Sequence, residues 1–374
     1  ALAWIRKLFP DLVDAGAFNA LKSRTLALQH AEGWFEEYGG ADLGYLSVTI
    51  DCLWDLFDAT QDRDYLASAE KALRFIAPFV PLASASIGMH NARNTDYILP
   101  YGIARFATDA GPARELAASM LNDLYSRVTS GGHFVHAIDD RYLCHYAGHS
   151  LLRCLQALRA ASTDLPAPPL KATQELLLEG SGHYLRGPSL SSFTSILSLR
   201  KGGILSLWHD QNYASDFGWI VDDGEMLHVT HWQSGHWTWT HEGDVFTIRG
   251  RLVPTREHLS SPLKHMLLRA AVFVLGRRLI AGLKNRLIFQ SGLSPYSFER
   301  RVEFGAGHVQ IKDTITGLGA GARVIAAPRA SKRHVSSADS HHHEDLALAH
   351  GVQVERKQDQ SGNTFTAETT YRTV

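Results

Sequence analysis

A chain of 374 residues, 45% hydrophobic and 20% charged with formal net charge −1, is longer than one ordinary domain and has apolar material for two cores. The near-neutral balance offers no general attraction for nucleic acid or an anionic membrane, so recognition of an acidic partner must be local. Three cysteines (Cys52, Cys144, Cys154) fit no zinc or redox spacing, and no P-loop, dinucleotide glycine fingerprint or GxSxG elbow occurs.

In chain order, helical periodicity covers DLVDAGAFNALKSRTLALQHA, then YLSVTIDCLWDLFDAT, with DRDYLASAEKALRFIAPFV following almost at once. GPARELAASMLNDLYSRV opens with Pro in its first turn, and RYLCHYAGHSLLRCLQALRAA continues the pattern. Cys52 and Cys154 lie in these apolar patterns and read as core. Short links between such helices imply antiparallel neighbours. Between them lie long polar pieces, EGWFEEYGGADLG, LASASIGMHNARNTD and SGGHFVHAIDD, of the kind that carries function on one end of a helical scaffold.

The Pro-rich STDLPAPPLKAT marks a boundary, predicting a helical domain over 1–165, a linker over 166–188 and an antiparallel β domain over 189–374. There the period changes to two, in SFTSILSLRKGGILSLWHD, GEMLHVTHWQSGHWTWTHEGDVFTIRGRLV, YSFERRVEFGAGHVQIKDTITGL and NTFTAETTYRTV. In HVQIKDTI, alternation predicts Val309 and Ile311 inward and the charges outward. His265 to Phe289 is the one stretch to weigh against a membrane. Its uninterrupted apolar run, Ala270 to Gly276, is short of the ~20 residues a spanning helix needs. An amphipathic helix on the protein body is expected, and no transmembrane segment. The start ALAWIRKLF and the end TTYRTV both read as cuts in a longer protein.

The densest polar stretch is NARNTDYILPYG, Asn91 to Gly102. Arg93 can grip a carboxylate in a bidentate fork, and Asn91 and Asn94 can bind its protonated form or sugar hydroxyls. Tyr97 or Tyr101 can donate a proton to a leaving oxygen. The plainer reading makes Asn94 or Thr95 the N-cap of a helix beginning near Asp96, with Arg93 paired to Asp96 or a neighbouring carboxylate. Pro100 places that helix start close by. Tyr45 stands where a Gly-rich loop turns into a helix, either facing out or as a core aromatic. As a base it would need a nearby cation, for which Arg93 is the candidate. Trp34, Phe35 and Tyr38 share a loop with Glu36 and Glu37, which suits a sugar subsite as well as a loop pinned by its rings.

GGHFVHAIDDRYLCHYAGHS holds His133, His136, His145 and His149. His145 and His149 are spaced i, i+4, but Tyr146 stands where an HEXXH motif needs glutamate, so no metal is assigned. His145 or Tyr146 as a general base or sugar contact is set against a buried, hydrogen-bonded His. In HWQSGHWTWTHEG, core packing explains Trp232, Trp237 and Trp239. The adjacent histidines of SHHHEDL cannot converge on one ion from an extended strand. No cofactor is required by these motifs, and a structural divalent metal lacks a clear one.

Two stretches carry a resemblance. EGWFEEYGGADLGYLSVTIDCLWDLFDATQDRDYLASAEKALRFI resembles the Gly, acidic residue and Tyr that precede a toroid helix in the heparinase II/III-like polysaccharide lyases. NARNTDYILPYG is similar to the loop opening the next hairpin in members of that family from polysaccharide gene clusters; KGGILSLWHDQNYASDFGWIVDDGE and SSPLKHMLLR look similar to the same branch. The resemblance implies an incomplete (α/α) toroid of helix hairpins followed by an antiparallel β-sandwich. It also implies an enzyme cleaving an acidic, uronic-acid-containing polysaccharide by β-elimination, periplasmic or secreted. Tyr45 falls at the family's catalytic Tyr and Glu37 at the acidic residue of that motif, while Leu46 follows the Tyr where the family often has His. Together with the residue readings above, the candidate catalytic set is Tyr45, Arg93, Asn94, His145 and Tyr146, with Trp34, Glu37, Tyr38, Asn91, Tyr97 and Tyr101 as candidates for binding substrate. The alternatives are a glycoside hydrolase on an (α/α) toroid, with Glu37 and Asp96 or Asp139 and Asp140 as its carboxylates, or a non-catalytic polysaccharide-binding or exopolysaccharide assembly factor.

Overall fold

A computed structural model describes residues 1–37, 39–82, 87–95, 97–109, 111–129, 147–161, 168–170, 174–187, 193–210, 212–255, 292–328 and 349–373, with a few more between 266 and 276. Tyr38, Asp96, His133, His136, Asp139, Asp140, His145, Tyr146 and the SHHHEDL run lie outside the described residues.

The chain is helical first and antiparallel β afterwards. The helices are α1 (Leu2–Leu8), α2 (Ala15–Leu26), α3 (Leu43–Thr60), α4 (Arg63–Ile76), α5 (Tyr101–Thr108), α6 (Arg114–Thr129) and α7 (Gly148–Ala161). Helix α3 is capped by Asp42, whose side chain accepts from the Tyr45 N–H, and it stops at Gln61 in the left-handed conformation. Asp62 caps α4 in turn, so two residues separate the helices and they pack together. Leu46, Ile50, Leu53 and Trp54 of α3 meet Tyr65, Ala69, Ala72, Leu73 and Ile76 of α4 in the helical core.

Helix α5 begins later than the sequence suggested and is capped by other groups. Its N-cap is Pro100, which offers no side chain, and the orphan amides are satisfied from neighbouring helices. Ser150 of α7 accepts from the Tyr101 N–H at 3.1 Å, and Asp51 of α3 accepts from the Gly102 N–H at 2.7 Å. Burial pushes the Asp51 carboxyl up to about 6, against its hydrogen bonds to Ser150 and Gly102. Cys154 is buried as expected. Cys52 is exposed instead, because it falls on the outward side of α3.

Among the described residues the β part forms three sheets. The first orders β1 (Glu175–Leu178), β2 (His183–Arg186), β3 (Thr194–Ser198), β4 (Ile204–His209), β5 (Asn212–Asp216) and β14 (Ala349–His350). The second joins β10 (Val253–Thr255), β7 (Leu227–Val229), β6 (Trp219–Asp222) and β13 (Arg323–Ala326). The third runs β15 (Val352–Ser361), β16 (Thr364–Thr373), β12 (His308–Thr316), β11 (Ser297–Gly305), β9 (Val245–Arg251) and β8 (Thr238–Glu242). Strands β1 and β2 lie inside the stretch expected to be linker. The turn around Gly180 and Gly182 closes them into a hairpin, and the Pro-rich signal ends before it.

The first sheet is a middle layer. Leu185 and Ile196 join the helical core, whereas Tyr184, Leu197, Leu205 and Leu207 pack against Phe246, Ile248, Phe298 and Val302 of the third sheet. Strand β2 is accordingly buried along its whole length, while β12 alternates between buried and more open positions. On β12 the inward set includes Asp313 with Val309, Ile311 and Ile315, so one charge expected to face solvent is in the core. Only part of the 266–276 stretch is described, so the amphipathic helix expected there lies partly outside the described residues. Its described residues Met266, Leu267, Arg269 and Phe273 are exposed. Among the described residues no helix is long and apolar enough to cross a membrane.

Candidate functional site

The loop Met89–Thr95 is wedged between the helical core and the first sheet, and His90, Asn91, Arg93, Asn94 and Thr95 are all at most 5% exposed. A polar stripe on the sheet receives it: His183 is opposite Ser198, and Ser206 opposite Ser215. Ser198 contacts His90 Nδ1 at 2.7 Å and Ser206 contacts Nε2 at 2.9 Å; His183 Nε2 donates to the His90 carbonyl at 3.1 Å. Burial lowers the His90 imidazole well below its usual range, and the neighbouring His183 and Lys201 add to this. His183 is lowered to about 4, again mainly by burial. Both rings are therefore neutral at pH 7 and serve as hydrogen-bonding joints.

On the helical side the same loop is tied to the start of α3. Asp42, 1% exposed, caps α3 with one oxygen and accepts from the Arg93 N–H with the other at 3.0 Å; the Thr95 hydroxyl also donates to it. Burial raises the Asp42 carboxyl, and these bonds offset that only in part. The Asn91 amide is spent locally, accepting from the Leu43 N–H at 3.2 Å and donating to the Thr95 carbonyl at 2.6 Å. Gly44 lets the loop come this close: a Cβ there would stand 2.4 Å from Thr95 Oγ1 and 3.0 Å from the Tyr97 ring.

This fastening projects one cation toward a phenol. The Arg93 guanidinium lies 3.9 Å from the centre of the Tyr45 ring, a cation–π contact, and Nη1 donates to Glu37 Oε1 at 2.6 Å. Arg93 is almost covered, whereas the Glu37 side chain is 30% exposed and Tyr45 is half-buried. Tyr97 stands behind, its ring 6.5 Å from that of Tyr45. From the β part, Gln233 Nε2 reaches the Gly39 carbonyl at 3.4 Å, beside Glu37's turn. An anion arriving beside Tyr45 would meet a guanidinium already held in place and would compete for it with the Glu37 carboxylate.

The structure thus brings together Tyr45, Arg93, Glu37 and Tyr97, and it gives Asn91, Asn94, Trp34 and Tyr101 different work, while Tyr38, His145 and Tyr146 lie outside the described residues. Asn91 and Asn94 are buried at 2% exposure and bond within the protein, because the loop sits under the β part rather than at the surface. Trp34 is part of the helical core, its ring stacked on His30 and its Nε1 donating to Glu32 at 3.0 Å, so it is no open platform for a sugar. Tyr101 belongs to a separate seam. Its hydroxyl accepts from Arg105 at 2.8 Å and its ring lies under Arg153, at 3.6 Å, where Asp58 and Asp55 pair with those arginines. His149 is exposed on α7. Among the described residues no group of three His, Cys, Asp or Glu is arranged to hold a metal.

Sequence reasoning missed the β-side participants. Lys201, fully buried, sends its ammonium to the Met89 carbonyl at 2.6 Å, the Asn91 carbonyl at 2.7 Å and Asn94 Oδ1. A lysine before two glycines reads as a solvated turn; only the sheet's position under the loop makes it a clamp. Asp42 had a legible signal, an Asp just before a helical run.

No protein-family model matches the chain, and no curated protein does. Among solved structures the chain is similar to 4-alpha-glucanotransferase from Thermococcus litoralis, at 8% identity and TM-score 0.30, covering 88% of this chain and 55% of that one. The chain therefore spans about half the length of that protein, and a superposition this loose carries no argument about fold or activity.

Proposed function

We propose that this chain belongs to a polysaccharide lyase-like enzyme of the heparinase II/III type, acting on an acidic polysaccharide by β-elimination, its helices forming part of an incomplete (α/α) toroid. The observation that carries the reading is the Arg93 guanidinium seated over the Tyr45 ring at 3.9 Å and bonded to the partly exposed Glu37. A uronate carboxylate would take the place of the Glu37 carboxylate on Arg93, and its charge would be neutralised where the enolate develops. The Tyr45 phenolate would take the C5 proton, the C4–O4 bond would break as the C4=C5 double bond forms, and the proton would return to O4. His145 or Tyr146 would assist as base. Asn91 and Asn94, spent on the loop, shape the site without touching sugar.

The test is a panel of uronate polymers monitored by ultraviolet absorbance of the unsaturated product. Product from the parent, with turnover lost in Tyr45→Phe while oligosaccharide binding persists, supports the reading. Saturated reducing-end products would replace it with a hydrolase. Binding with no turnover, equal in parent and Tyr45→Phe, would replace it with a non-catalytic glycan-binding role.

A further inference from the structure

Lys201 ends a short 3-10 turn, Leu199–Lys201, between β3 and β4, and Gly202 and Gly203 follow with φ of 65° and 74°. The turn is fixed from below. Arg300 donates from Nη1 to the Gly203 carbonyl at 2.9 Å, and a Cβ on Gly202 would stand 1.9 Å from the Thr230 carbonyl oxygen. From this base the lysine crosses to the helical part, where its ammonium donates to three oxygens of one loop: two backbone carbonyls and the amide of Asn94. Asn94 is held at φ 56°, in the left-handed region, one residue after Arg93. The acceptors at Asn91 and Asn94 bracket Arg93, whose own N–H is anchored to Asp42.

We propose that Lys201 is a positioning residue for the Arg93–Tyr45 pair: it fixes the backbone on both sides of Arg93 and so seats the guanidinium over the phenol. The inference rests on the reading that these two residues form the site, and it gives the β part a direct role there. A flexible stem ending in three donors suits this work, since it can converge on carbonyls that point in different directions. The fixed base matters as much, because a lysine on a loose turn would follow the loop instead of setting it.

The seat can be read without substrate. Arginine side-chain NMR signals of Arg93, identified by their loss in Arg93→Lys, should be displaced upfield by the Tyr45 ring. Lys201→Met is expected to lose most of that displacement. Ser206→Ala removes the neighbouring His90 contact without touching Lys201, and is expected to keep it at comparable thermal destabilisation. Asn94→Gly retains the left-handed backbone, drops one acceptor and should lose an intermediate share. An unchanged Arg93 signal in folded Lys201→Met, or equal loss in Ser206→Ala, overturns the inference. If Lys201→Met does not fold, an unchanged signal in Asn94→Gly overturns it. A protein that passes this test yet yields no unsaturated product from any uronate polymer loses the lyase reading and keeps the positioning role.

Discussion

Two buried cations stand on either side of the Gly202–Gly203 turn, and they are held in opposite ways. Arg300 is met by carboxylates: Asp313 in a two-bond fork at 2.8 and 2.7 Å, and Asp216 at 2.8 Å. Lys201 meets two carbonyls and an amide. Arg300 and Asp313 are direct cross-strand partners on β11 and β12, and Asp216 also accepts from Tyr371 at 2.8 Å and Arg356 at 3.1 Å. Burial pushes the Asp216 carboxyl up, but Arg300, Arg356, Tyr371 and the Gly218 N–H outweigh it and hold it below the ordinary range. Paired charge joins sheet to sheet inside one core. The lysine joins segments far apart in sequence through backbone carbonyls and an amide.

The largest effect expected from breaking this contrast is on the Arg300 side. Arg300→Met leaves Asp313 buried without its cation and should cost about 3–5 kcal/mol in denaturant unfolding. Arg300→Met combined with Asp313→Leu should recover much of that loss, since it removes the stranded charge. A single variant that loses less than about 1 kcal/mol would show that the ion network contributes little.

Acid should act on the lysine side instead. His90, His183 and His231 are buried and neutral, with His183 lowered to about 4 and His231 to about 3, chiefly by burial. Between pH 6.5 and about 4 the unfolded chain binds protons that folded His183 refuses. Stability therefore falls as pH drops through that window, by about 1–2 kcal/mol for this group at pH 5. Asp51, raised to about 6, has the opposite sign: its contribution is present below the unfolded carboxyl range and is lost as pH rises through 6. The measurement is the slope of unfolding free energy against pH, which His183→Gln should flatten between 6.5 and 4. An unchanged slope would remove His183 from the acid response.

Gly202→Ala tests the base of the lysine turn. Its positive φ alone should cost about 1–3 kcal/mol, and the Cβ would also meet the Thr230 carbonyl. Thermal unfolding within error of the parent would mean that the turn can move without loss.

These contrasts also show what was legible in the sequence. Helix-then-strand order was, because the period of apolar residues changes from 3.6 to two and each period belongs to local geometry. The meeting of Tyr45 with Arg93 was readable too, since a phenol acting as base needs a cation and Arg93 was the candidate in the next polar loop. Asp313 had the parity of its apolar neighbours Val309 and Ile311 but was read by charge, so its burial, and with it the pair it makes with Arg300, was missed. Asn91 and Asn94 were read as ligands because a sequence cannot show which layer covers a loop. The first sheet covers this one, and Lys201 comes from 107 residues beyond Asn94 to do it. Trp34 and Tyr101 were misassigned for the same reason: an aromatic side chain looks alike as platform and as packing until its neighbours are known.

The smallest stability effect should come from the residue with the sharpest functional consequence. Glu37 is 30% exposed, and Glu37→Gln keeps an oxygen that can accept from Arg93, so its cost should be no more than about 1 kcal/mol. The charge facing Arg93 disappears, however, and an incoming carboxylate no longer has to displace one. Under the lyase reading, a uronate oligosaccharide should bind Glu37→Gln several-fold more tightly than the parent, with a steeper loss of affinity as salt rises, since the guanidinium is no longer paired with the Glu37 carboxylate. Neutral oligosaccharides of the same length should bind both proteins alike. Calorimetric titration of the two ligand series separates the outcomes. Equal tightening for neutral sugar would mean that Glu37 blocks access by its position, and weaker uronate binding would mean that its carboxylate contacts the sugar hydroxyls.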